Sequence, residues 1–208
     1  MMPKGSEELI NARKEEIIDA CASLYETMGF NEITIRSIGK KTSFTRTSIY
    51  NYFQTKEEIF LGLLRREYEA WASDLEAILS RKITTTDMFA EELAHTLEKR
   101  GTMLRLLSMN LYDMEGNSRL ENLTEFKLAY AGSLRAVSRC LEKFFPSMTR
   151  EDIQSFIYAF LPFTFGIYPY TSATSKQKAA MEAAHIDHVQ YSIFELTRSF
   201  AAKMLKGF

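Results

Sequence analysis

Between Ile33 and Lys56 the chain carries Arg36, Lys40, Lys41, Arg46 and Lys56 and no acidic residue. Within this stretch the run Thr45-Arg46-Thr47-Ser48-Ile49-Tyr50-Asn51-Tyr52-Phe53 puts hydroxyls, a guanidinium and an amide beside aromatic rings. A guanidinium fork matches the guanine edge in a DNA major groove, and hydroxyls bond phosphate oxygens. On a short helix Ile49 and Phe53, four apart, form an apolar inner face. Thr45, Arg46, Thr47, Ser48, Tyr50, Asn51 and Tyr52 are then left facing outward or sideways. Lys56 falls at the start of the next helix, where exposed backbone N–H groups favour a phosphate. The chemistry expected of these residues is DNA reading. A plain surface helix would leave both the missing acids and the crowd of hydroxyls unexplained.

Positioning that helix requires others. Ser6 is read as the cap of a first helix ending near Met28, with Ile10, Ile17, Cys21, Leu24 and Met28 along one stripe and Gly29 as a left-handed terminator. Thr34 caps a short second helix and Thr45 the third, with Thr42-Ser43-Phe44 as the turn between them, which is a helix-turn-helix pattern. A fourth helix begins near Thr55. Further helices are expected over residues 87–99, 103–113, 119–145, 150–168 and 178–206. Thr149 and Asp152 form a capping box, and Pro162 lies inside the helix they open. The expected fold is therefore all-α. An N-terminal three-helix DNA-binding domain over residues 1–55 precedes a helical ligand-binding and dimerisation domain over residues 56–208.

Residues 13–64 resemble the DNA-binding domain of the TetR (tetracycline repressor-like) family of bacterial regulators. The resemblance rests on Gly29-Phe30, Thr34-Ile-Arg-Ser-Ile38, Ser48-Ile-Tyr-Asn-Tyr-Phe53, Lys56-Glu57 and then Ile59, Phe60 and Leu63. It implies that Arg46, Thr47 and Ser48 read bases and that Arg36 lies near a base or phosphate. It also implies that Thr34, Thr45, Tyr50, Tyr52 and Lys56 hold the DNA backbone. The chain departs from the family pattern at the turn, where Ser43 stands for a common glycine, and at Gly39, where alanine is frequent.

The same resemblance implies a homodimer on a (pseudo)palindromic operator, released by a small-molecule effector, and most simply a repressor. Apolar stripes of Ile153, Phe156 and Phe160 and of Ile186, Val189, Ile193, Leu196, Phe200 and Met204 are the expected dimer interface. Tyr68, Trp71, Met103, Leu107, Tyr112, Phe126, Tyr130, Phe163 and Phe165 are the expected lining of an apolar or aromatic ligand pocket.

Other chemistry is sparse. No nucleophile–base set, phosphate loop or ligand-spaced Cys/His cluster is found, so neither an enzyme nor a cofactor is expected. His185 and His188 are read as surface residues rather than metal ligands. The net charge of −1 does not by itself announce a nucleic-acid binder, and two isolated cysteines, no leader-like start and no long apolar run point to a cytoplasmic protein without a membrane partner. The competing expectation is a helical module that docks another protein without specific DNA binding.

Overall fold

The computed structural model describes residues 4–109, 111–187 and 189–208, and among them every regular element is a helix. In chain order these are α1 (Lys4–Tyr25), α2 (Ile35–Gly39), α3 (Arg46–Ile49), α4 (Lys56–Ile78), α5 (Thr86–Glu98), α6 (Gly101–Leu107), α7 (Leu111–Gly116), α8 (Leu120–Phe144), α9 (Arg150–Thr171), α10 (Ser175–Ala183) and α11 (Ile193–Met204).

The chain forms two compact units. The first comprises Met1–Arg66 together with Tyr112–Ala129, and the second Glu67–Leu111 together with Tyr130–Phe208. The boundary expected at residue 55 falls inside the first unit, which also recruits α7 and the start of α8. Hydrogen bonds account for that recruitment: Thr55 Oγ1 donates to the Asn117 carbonyl at 3.0 Å, and Arg119 reaches Glu58 at 2.7 Å.

In the first unit α1 buries Ile17, Ile18, Cys21 and Tyr25. The three- and four-residue spacing puts them on one face. Opposite them, α4 buries Ile59, Phe60, Leu63 and Leu64, and the Tyr25 and Phe60 rings meet edge to face with centroids 5.3 Å apart. α1 begins at Lys4, upstream of Ser6, so Ser6 lies within the helix rather than capping it. Gly29 does not take up a left-handed conformation either, because Gly207 is the only described glycine with positive φ. The Gly29 N–H donates instead to the Glu32 carboxylate at 2.6 Å, and successive turns end the helix.

The core of the second unit is aromatic. Trp71 is fully buried and its indole N–H donates to Thr96 Oγ1 at 2.9 Å, which satisfies the ring's polar atom. Tyr68 meets Tyr130 edge to face at 5.4 Å, and Phe160 lies 6.2 Å from the Trp71 ring and 5.4 Å from Phe156. α11 packs along α5, and α6 along α9. Cys140 is buried with its thiol directed at the Leu75 carbonyl, 3.4 Å away, and Cys21 is likewise buried. Burial pushes both thiols up to about 12.

Two helices expected as continuous are broken. Residues 103–113 divide into α6 and α7, and residues 178–206 divide into α10 and α11. The second break follows from local chemistry. His185 adopts a left-handed φ of 56°, and Ser192 starts α11 afresh through a capping box with Glu195. The capping box expected at Thr149 and Asp152 is present, and α9 runs through both Pro162 and Pro169 as one element.

Candidate nucleic-acid interface

Thr34 opens α2 with a reciprocal capping box. Its hydroxyl accepts from the Ser37 N–H at 3.1 Å, and the Ser37 hydroxyl accepts from the Thr34 N–H at 2.9 Å. Ile38 on α2 and Ile49 on α3 are fully buried, which fixes the two short helices against the unit's core. Gly39 lets them approach closely: a Cβ there would lie 3.3 Å from Arg46 Cα and 3.4 Å from Ile49 Cδ1. The glycine that departs from the family pattern is thus the contact point of the helix pair.

The turn at Thr42-Ser43-Phe44 has no left-handed residue, since His185 is the only described non-glycine with positive φ. It is held from α1 instead. The Glu16 carboxylate accepts from the Ser43 N–H, and Arg13 donates to Ser43 Oγ at 2.9 Å while its guanidinium lies 4.7 Å from the Phe44 ring centroid. The Ser43 N–H, and then its hydroxyl, hold the Glu16 carboxyl below the usual carboxylate range. Sequence reasoning missed this role for Arg13 and Glu16. Serine in place of glycine was the available signal, because a turn without glycine needs outside support.

α3 presents Arg46 and Thr47 to solvent, followed by Tyr50 and Asn51, with Ser48 half-buried. The helix is only four residues long, but further turns extend it, with the Phe53 N–H donating to the Ile49 carbonyl at 3.0 Å. Thr45 stands at the N-cap without bonding an N–H there; its hydroxyl lies 3.1 Å from Ser48 Oγ. The Arg46 guanidinium donates to the Tyr50 hydroxyl at 3.1 Å, one turn along the same exposed edge. Arg36 is also exposed, on α2. Two residues turn away from this edge. Tyr52 is half-buried with its ring 6.2 Å from Phe44. The Lys56 ammonium donates to the Phe30 carbonyl at 2.9 Å and lies 4.1 Å from the Phe30 ring centroid.

The exit from α3 is fixed by residues that sequence reasoning did not single out. Glu58, in the first turn of α4, has a fully buried carboxylate that accepts four hydrogen bonds. These come from the Gln54 N–H (2.7 Å), the Arg119 N–H (3.0 Å), Arg119 Nε (2.7 Å) and Arg119 Nη2 (2.9 Å). Burial alone would raise its pKa, but the Arg119 guanidinium and the two backbone donors outweigh it and bring the carboxyl down to about 2. Arg119 Nη2 also donates to the Tyr52 carbonyl at 3.0 Å. No sequence signal could have paired residues so far apart in the chain.

The residues expected to line a ligand pocket are distributed differently. Tyr68, Trp71, Met103 and Leu107 are packed into the core of the second unit. Phe126 is buried in the first unit, and Tyr112, also in that unit, is 85% exposed. Tyr130, Phe163 and Phe165 are half-buried. Of the set, Phe163 alone lines an open apolar concavity of about 890 Å³, with Ile167, Tyr170, Met181, Ile186 and Leu196.

The expected dimer stripes also change. Phe156 and Phe160 are buried within the chain, so that part of α9 packs inward, while Ile153, also largely buried, lines an open concavity with Leu134, Ile157 and Tyr158. Ile186 and Val189 lie in the loop between α10 and α11 and are exposed, whereas Ile193, Leu196 and Phe200 are half-buried and Met204 is exposed. Phe200 stacks on Phe163 at 4.3 Å. The outer face of α9 carries Tyr158, Pro162, Gly166 and Tyr170 at four-residue spacing. His188, the other half of the histidine pair, lies outside the described residues; among those described, no group of three or more potential metal ligands occurs.

Two short helices joined by a supported turn, with a polar edge on the second, define a helix-turn-helix regulator. The comparisons agree across the chain. Residues 17–63 match the family described as "Bacterial regulatory proteins, tetR family", and residues 65–208 match "Tetracyclin repressor-like, C-terminal domain". The protein belongs to the TetR family of bacterial transcriptional regulators. It is 29% identical over 72 residues to the HTH-type transcriptional repressor Rv1474c of Mycobacterium tuberculosis, covering 35% of this chain and 38% of that one. It is 30% identical over 114 residues to the nucleoid occlusion factor SlmA of Vibrio atlanticus, covering 53% of this chain and 58% of that one. These alignments thus span well under two thirds of the relatives' length. Solved structures share the fold over nearly the whole chain. The regulator FadR of Bacillus subtilis in complex with stearoyl-CoA has a TM-score of 0.61 at 16% identity, covering 93% of this chain and 98% of that one. The regulator PfmR of Thermus thermophilus has a TM-score of 0.58 at 15% identity, covering 92% and 98%. No helix among the described residues is long and apolar enough to cross a membrane.

Proposed function

We propose that the protein is an effector-responsive repressor that binds a (pseudo)palindromic operator as a homodimer. The observation that carries this reading is the exposed edge of Arg46, Thr47, Tyr50 and Asn51, within a stretch free of acids, on a short helix gripped at entry and exit. Arg46, Thr47 and Ser48 read bases. Thr34, Arg36, Thr45, Tyr50 and Asn51 meet phosphate or sugar, and Tyr52 and Lys56 support them from behind. A second copy is needed because two half-sites about 34–36 Å apart, or a multiple of that, give the specificity one short helix lacks.

The effector is apolar. The concavity of about 890 Å³ is of a size that suits drug-like or acyl ligands, and its lining is almost wholly apolar. The stearoyl-CoA held by the Bacillus subtilis FadR supplies a first probe. An effector shifts operator binding only by its difference in affinity for the two states, typically about 1–3 kcal/mol.

The test is selection of duplexes from a random-sequence pool, followed by titration across salt concentrations with and without stearoyl-CoA. A selected palindrome, bound with a steep salt dependence and released by the acyl ligand, is the expected result. Failure to enrich any sequence overturns the DNA reading and favours a protein-docking module. Enrichment without release removes the acyl effector alone.

A further inference from the structure

The exit of the recognition helix is tied to a segment some 60 residues further along the chain. Arg119 immediately precedes α8, and its guanidinium bridges the Glu58 carboxylate at the start of α4 and the Tyr52 carbonyl just beyond α3. The second oxygen of the same carboxylate takes the Gln54 N–H. Phe53, the buried residue that ends the inner face of the reader, is therefore flanked on both sides by backbone groups bonded into one ion pair. Glu58 accepts four hydrogen bonds, which uses both lone pairs of both oxygens, so a displaced Arg119 cannot be replaced without unpairing a buried charge.

The far end of α3 is otherwise held by apolar packing, through buried Ile49 and Phe53 and the Tyr52 ring near Phe44, so the Glu58–Arg119 pair supplies its directional links. Four helical residues and three further turns cannot fix their own orientation, because so short a helix is not stable by itself. α8, in contrast, is 25 residues long, and its residues contribute to both compact units. We propose that Arg119 and Glu58 are positioning residues for DNA reading: they make the orientation of the recognition helix depend on the placement of the start of α8. The proposal rests on the DNA-reading assignment above. It gives α8 a direct line to the reader through Arg119, separate from the covalent route along α4.

The experiment uses the full chain and two duplexes, one selected by the wild-type protein from a random-sequence pool and a scrambled version of it. Arg119→Gln and Glu58→Gln are each expected to lower affinity for the selected duplex about ten-fold and to leave the scrambled duplex within about two-fold. The double variant is expected to lose no more than either single one, because both remove the same link. Arg119→Lys, which keeps the charge without the fork, serves if the glutamine variants fold poorly; its discrimination is expected to fall in the same direction. Equal losses on both duplexes, or unchanged discrimination with only a lower melting temperature, overturn the proposal. A wild-type protein that selects no duplex overturns the DNA reading itself.

Discussion

Gly39 and Arg46 approach so closely that a methyl group on the glycine would lie 3.3 Å from the Arg46 Cα. The last residue of α2 and the first residue of α3 are therefore closely packed, with no room for a side chain between them unless α3 gives way. Gly39→Ala gains about 1 kcal/mol of helix propensity at a position that must then move α3 outward by a few tenths of an ångström. Thermal stability should change little, while affinity for the selected duplex falls several-fold. Calorimetry and fluorescence titration on one preparation separate the two effects.

Arg46 is held along the outer edge by the Tyr50 hydroxyl. Arg46→Ala should relax preference at one base of each half-site, at about 1–3 kcal/mol of discrimination. Binding to a set of single-base operator variants measures this. Equal weakening across the set would contradict base reading. Tyr50→Phe should give a weaker version of the same effect, because it frees the guanidinium without removing it, together with a uniform loss across the set from the missing hydroxyl contact proposed to the DNA backbone.

Lys56 behaves differently because its ammonium is committed to the Phe30 carbonyl and ring. Lys56→Met should lower stability by about 1–2 kcal/mol, the scale of a charged hydrogen bond plus a cation–π contact. The slope of log affinity against log salt should stay as it is, whereas loss of a phosphate contact would flatten it by about one.

Glu58 contributes most to the acid limb of stability, to which the lowered carboxyls of Glu16, Asp152 and Glu195 also contribute. The Glu58 carboxyl titrates near 2 in the folded protein against an ordinary value of 4.5, so the folded state favours the ionised form. That stabilisation is complete above pH 4.5 and is lost as pH falls from 4.5 toward 2. It amounts to a few kcal/mol, at roughly 1.4 kcal/mol for each pKa unit. Denaturant midpoints of the wild type should drop across this window. Glu58→Gln should start lower and show a flatter profile there.

The helix-turn-helix was legible because it is local. The Thr34 cap, the Ile49–Phe53 inner face and the exposed edge all fall within residues 34–53, although Thr45, expected to cap α3, makes no cap bond. The helices of the C-terminal region were legible as elements but not in their orientation. Ile153, Phe156 and Phe160 make a stripe that suits a partner or a core equally, and nothing in the spacing says which. The break near His185 escaped because alanine, methionine and glutamate around it favour helix, and only the Ser192–Glu195 capping box signals a new start. The links around α3, Glu16 to Ser43 and Glu58 to Arg119, join distant positions, so periodicity carries no trace of the partners, and only the serine at the turn hints that the first link is needed.

The two cysteines have a practical consequence. Both are buried, and both thiols titrate far above neutrality, so almost no thiolate is present to react with alkylating or oxidising reagents. The native chain should therefore react only slowly with maleimides. A single cysteine engineered at an exposed site outside the proposed DNA contacts, such as Gln54, would take a fluorophore or spin label selectively, without first stripping the protein of its own sulfur.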